Sequence, residues 1–182
     1  MNFLSFFSIP LDSVLLTIGD GCPLLEDIEF KGAFLVTDIG FTYLLKSHPK
    51  IKRFLVDNSP QLYLSTIQAL NGLEFLTSLS LVNCSLLDDK GFFLSFFQTR
   101  KNSKLNKINN LALFSLCPKR LNELSFSDCS LITDQGILKL IEEKIIHSEI
   151  TSLDLSGCPL LTNLILQQIS LVGKKIQVFF SF

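Results

Sequence analysis

LNELSFSDCSLITDQG, residues Leu121–Gly136, is the stretch whose reading decides the fold. Leu124, Ser125 and Phe126 alternate apolar with small polar, the pattern of a short strand buried on one face. Cys129 follows three residues on, small enough for a tight turn. Thr133-Asp134 then offers side-chain oxygens to the free amides of a helix start, and Ile137, Leu138, Leu140 and Ile141 continue at helical spacing. The same order recurs along the chain. The strand cores are Ile28-Glu29-Phe30, Phe54-Leu55-Val56, Leu79-Ser80-Leu81, Leu124-Ser125-Phe126 and Leu153-Asp154-Leu155, and the small residues are Ala33, Ser59, Cys84, Cys129 and Cys158. Intervals between Ile28, Phe54, Leu79, Leu124 and Leu153 are 26, 25, 45 and 29 residues. Three share one period, and the fourth holds one period plus an insertion of about 19.

Other landmarks keep this beat. Cys22-Pro23, His48-Pro49 and Cys117-Pro118 each precede a strand, where proline stops a helix and favours extended backbone. Five residues after each small position stands Asp38, Leu64, Asp89, Asp134 or Asn163, and four of these five can cap a helix. The spacing places helices over Lys90–Gln98 and Ile137–Ile146, the second ending at His147, where the helix dipole suits an imidazole. The helix in Pro60–Leu70 lacks an acidic cap and is expected to be the weakest. No such unit can bury its apolar faces alone. The pattern therefore predicts a right-handed α/β solenoid of six to seven units, with a short-stranded parallel sheet on the concave face and helices on the convex face. One domain is expected over 1–182: a half-repeat or cap at 1–21, repeats over 22–99, an insertion at 100–119, repeats over 120–173 and a terminal strand at 174–182. In the first part Phe3, Phe6, Phe7, Val14, Leu15 and Ile18 are expected on the core.

The segments GCPLLEDIEF (21–30), LTSLSLVNCSLLDDKG (76–91), LNELSFSDCSLITDQG (121–136) and ITSLDLSGCPLLTN (150–163) resemble the cysteine-containing leucine-rich repeat. That repeat occurs in the substrate-binding parts of F-box/leucine-rich-repeat receptors and in mitotic-exit-antagonist proteins. The resemblance covers about residues 22–170, with Ala33 and Ser59 in two cysteine places and without a visible F-box. It implies a protein–protein interaction module like the substrate-recognition part of a ubiquitin-ligase receptor. A non-catalytic structural subunit or assembly factor of a larger multiprotein complex is the alternative.

Composition narrows the classes further. A net charge of −1 gives no footprint for nucleic acid. Mean hydropathy is high at +0.40, yet no uncharged apolar run reaches the ~18–20 residues of a membrane span. Five scattered cysteines without a C-x-x-C pair point to a reducing, intracellular and cytoplasmic setting, not to disulfides or a zinc site. Phosphate-cradling and common metal motifs are missing, and the two histidines, His48 and His147, sit near helix ends. No enzyme activity, no cofactor and no metal are expected. The small residue after each strand should pack inside, where a weak donor such as Cys or Ser can bond a nearby carbonyl.

Two surfaces could hold a protein partner. On the concave face, strand alternation turns outward Asp27, Glu29, Arg53, Leu55, Ser78, Ser80, Glu123, Ser125, Ser152 and Asp154. On the convex side Leu94 and Phe97 take places that are polar in other repeats. The following segment starts basic with Arg100, Lys101 and Lys104, then turns apolar and offers to cover that helix. The terminal strand is apolar on both faces through Phe179, Phe180 and Phe182, an edge that favours assembly.

Overall fold

The computed structural model describes residues 3–7, 12–85, 120–172 and 175–181. Within them, seven strands form one all-parallel sheet in chain order. They are β1 (Phe3–Phe7), β2 (Asp27–Lys31), β3 (Arg53–Asp57), β4 (Ser78–Val82), β5 (Glu123–Ser125), β6 (Ser152–Asp154) and β7 (Gln177–Phe179). Helices α1 (Asp12–Gly21), α2 (Asp38–Ser47), α3 (Leu64–Leu70), α4 (Asp134–Glu142) and α5 (Asn163–Val172) alternate with them. Ile28, Phe54, Leu79, Leu124 and Leu153 stand side by side in register, with Leu4 and Val178 at the two ends of the row. The period read from the sequence is thus the period of the sheet. The helix placed over Lys90–Gln98, with Leu94 and Phe97, the insertion at 100–119 and Cys117 lie outside the described residues, as do the side chains of Phe3, Phe6 and Phe7.

One face of the sheet is buried under the helices. Ile28, Phe30, Phe54, Val56, Leu81, Phe126 and Leu153 meet Leu15, Phe41, Leu44, Ile67, Ile137, Leu140, Ile165 and Ile169 in one core. Burial of each large apolar side chain stabilises by about 1.5–3 kcal/mol. Phe30, Phe41 and Phe54 pack edge to face, with centroids 5.4, 6.0 and 6.2 Å apart.

Each of β2 to β6 is followed by a turn residue in the left-handed region. Gly32, Asn58, Asn83, Asp128 and Gly157 have φ of 76, 57, 49, 58 and 67°. Glycine adopts this conformation freely, and Asn and Asp tolerate it best among the rest. Each turn aims its amide at the next unit: Gly32 N donates to Asp57 O at 3.0 Å, Asn58 N to Val82 O at 3.0 Å, Asn83 N to Ser127 O at 2.9 Å, Asp128 N to Ser156 O at 2.8 Å and Gly157 N to Ser181 O at 3.1 Å. At Gly157 a side chain would also collide with the Asp128 carboxylate.

The small residues come next and form one buried row, Ala33, Ser59, Cys84, Cys129 and Cys158. Cys129 Sγ donates to Leu81 O at 3.1 Å and Cys158 Sγ to Phe126 O at 3.0 Å, each a backbone carbonyl of the preceding unit; Cys84 Sγ turns to its own Val82 O at 3.5 Å. Ser59 Oγ is buried and has no hydrogen-bond partner among the described residues. Burial lifts the Cys84 and Cys129 thiols to about 12, against the smaller opposing pull of the Ser59 and Cys84 amides respectively. Cys158 is raised as well, again chiefly by burial.

The helix caps correct the expectation that each acid caps its own helix. Thr37 and Thr133 do that, accepting from the amides of Ile39 and Gln135 at 3.2 Å each, and Thr162 accepts from Leu164 N at 3.2 Å. The aspartates reach one unit further. Asp12, opening α1, takes Thr37 N at 2.8 Å and Thr37 Oγ1 at 2.6 Å ahead of α2. Asp38, opening α2, takes Tyr63 N, Ser65 N and Thr66 N at 2.9, 2.8 and 2.9 Å, with Thr66 Oγ1 at 2.6 Å, at the start of α3. Asp134, opening α4, takes Thr162 N at 2.8 Å ahead of α5. α3 therefore forms without an acid of its own, because its neighbour supplies one.

The second histidine also departs from expectation. α4 ends at Glu142, where Lys144 turns left-handed with φ 59° and sends Ile145 and Ile146 into the core. His147 lies beyond that turn and accepts from Glu149 N at 3.1 Å, away from the helix end. His48 does end α2, and its ring links two units. Nδ1 lies 2.9 Å from Leu44 O and Nε2 2.8 Å from Cys22 O. Both partners are backbone carbonyls, so the ring ties the end of α2 to the unit before it.

Candidate functional site: a groove on the open sheet face

Because strand side chains alternate, the face opposite the helices carries every second residue of each strand. In register, one row reads Asp27, Arg53, Ser78, Glu123, Ser152 and Gln177 across β2 to β7, and the middle row reads Glu29, Leu55, Ser80, Ser125, Asp154 and Phe179. Small side chains in the centre between longer ones on either side leave a hollow of about 380 Å³. Arg53 and Leu55 bound it on β3, the serines 78, 80, 125 and 152 floor it, and Val82, Glu123, Asp154 and Phe179 complete its walls.

Eight of the ten residues expected on this face are brought together here: Arg53, Leu55, Ser78, Ser80, Glu123, Ser125, Ser152 and Asp154. Asp27 and Glu29 are not; they lie to one side on β2, and Glu29 Oε1 pairs with Lys31 Nζ at 3.0 Å. Ser78 differs from the open position expected for it, being 5% exposed. Its register partners are Arg53 and Glu123, both with longer side chains. Phe179 is a groove residue that alternation alone did not single out, whereas Val82, next in the alternation after Ser78 and Ser80, lines the groove as that pattern expects. The apolar character of Phe179 was visible in the sequence, but its place beside Asp154 depends on β7 pairing with β6.

The electrostatics of this face are uneven. Asp27, Glu29, Asp57, Glu123 and Asp154 stand against Lys31 and Arg53, so carboxylates prevail. Asp154 Oδ1 accepts from Ser156 N at 3.0 Å. Among the described residues, no group of three or more His, Cys, Asp or Glu side chains is placed to hold a metal ion. No helix of the described residues is long and apolar enough to cross a membrane.

No family model matches the chain. Among solved structures it is similar to a chain in the crystal structure of the Rad7 and Elc1 complex in yeast, at 14% identity and a TM-score of 0.42, over 93% of this chain and 59% of that one. The chain thus spans less than two thirds of that neighbour's length.

Proposed function

We propose that the chain is a non-catalytic protein-interaction module of the leucine-rich-repeat type, whose concave face holds a segment of another protein. The observation that carries this reading is the groove itself: a hollow of about 380 Å³ on the face that the helices leave open, floored by small polar side chains. Hollows of this kind, on sheets of stacked units, suit an extended segment better than a flat domain surface. The buried, high-pKa thiols and the ring contacts of His48 leave those groups occupied in packing, which supports a role without catalysis. Within this reading the module resembles the substrate-recognition part of a ubiquitin-ligase receptor.

The test is a quantitative affinity purification from the native source with the wild type and a Ser80→Arg, Ser125→Arg, Asp154→Arg variant. Both are checked for equal thermal unfolding. Proteins recovered by the wild type and lost from the variant are expected, and recovery of a cullin-type adaptor would place the module in a ligase. An identical set from both proteins would overturn the concave-face reading. A structural subunit is the second reading, favoured by Leu164 and Leu171, which stand fully outward on α5. It predicts a fixed stoichiometric set that survives high salt.

A further inference from the structure

The groove is polar along its length, not merely acidic. Arg53 stands on β3 at one end, and Glu123 and Asp154 stand on β5 and β6 at the other. Among the described residues, neither Glu123 nor Arg53 has an ion-pair partner. Between them Ser78, 5% exposed, lines the floor of the groove. Leu55 and Phe179 add an apolar contact at each end.

From this we infer that the groove takes a short extended peptide that crosses the strands with an acidic residue over Arg53 and a basic residue between Glu123 and Asp154. This deepens the concave-face reading and rests on it. The spacing follows from the sheet. Adjacent strands are about 4.8 Å apart, so two to three strand steps separate the charges by roughly 10–14 Å. An extended chain rises about 3.3 Å per residue, which puts the two charges about three or four residues apart in the peptide. A volume of about 380 Å³ is at the lower end of ligand clefts, room for a few side chains and not for a folded domain.

The test is a selection of phage-displayed random heptapeptides on the full chain. A Ser80→Arg, Ser125→Arg variant that unfolds at the wild-type temperature serves for counter-selection. Enriched peptides are expected to pair Asp or Glu with Arg or Lys three or four positions apart. Synthetic copies should lose about tenfold or more in affinity to a Glu123→Gln, Asp154→Asn variant. The same copies with their acid changed to Ser should become indifferent to Arg53→Gln. Peptides that enrich without a basic residue, or that bind the Gln/Asn variant as well as the wild type, overturn the charge assignment and leave the concave-face reading standing. No enrichment over the blocked variant overturns both.

Discussion

The row from Ala33 through Ser59 to the three cysteines shows how a single position can set the spacing of a whole stack. The side chain there must be small, because the next unit's backbone passes close, and a thiol adds a donor that reaches the unit behind it. Burial that raises Cys84 and Cys129 to about 12 leaves almost no thiolate at neutral pH. In native protein at pH 7.5, iodoacetamide is therefore expected to modify the half-exposed Cys22 well before Cys84, Cys129 and Cys158, all of which should label only on unfolding. Peptide mass spectrometry over time checks this; early modification of Cys129 would mean that the row is not closed. This row was legible in the sequence. So was the residue before it, since Gly32, Asn58, Asn83, Asp128 and Gly157 are the residue types that accept a positive φ.

At the scale of the element, α2, α3 and α5 each depend on the helix before them for part of their N-terminal hydrogen bonding. Asp38 is the fullest case. Burial acts to raise its carboxyl, but the bonds from Thr66, Tyr63 and Ser65 outweigh burial and hold it below 3.8. The folded chain then binds this proton less tightly than the unfolded chain does. Its contribution is complete above the unfolded value and disappears as pH falls through the lower folded value. Asp38→Ala is expected to cost about 1–2 kcal/mol at pH 7, in the range of strong N-caps. The difference from wild type should shrink steadily below pH 4, as read from urea unfolding across pH. The loss should appear first as faster amide exchange in α3, not in α2, where the mutation lies. The sequence pattern marks both the acid and the helix, and the threonine beside the acid as its own helix's cap, but not the second helix that the acid serves. Whether a carboxylate serves its own helix or the one 25 residues later is decided by the distance between units, which no local pattern encodes.

Across the whole molecule, contacts run between successive units, so stability should be distributed and local damage should divide the stack. Phe54 tests this, since it joins β2 to β3 through Phe30 and Phe41. Phe54→Ala is expected to cost about 3–5 kcal/mol. Hydrogen exchange should show β2 and β3 opening while β5 and β6 stay protected; uniform loss across all strands would mean that the units do not behave separately. The alternation that exposes the groove was readable from the sequence, but its limits were not. Asp27 and Glu29 fell outside it and Phe179 inside, because those limits follow from side-chain length across neighbouring strands. One further consequence attaches to the aspartates at the helix starts. Asp12, Asp38 and Asp134 all reach toward the C-terminal neighbour, so a chain emerging from the ribosome has the anion for α2, α3 and α5 waiting in the part already made. Refolding from the opposite end would find no such help, which gives growth of this stack a preferred direction.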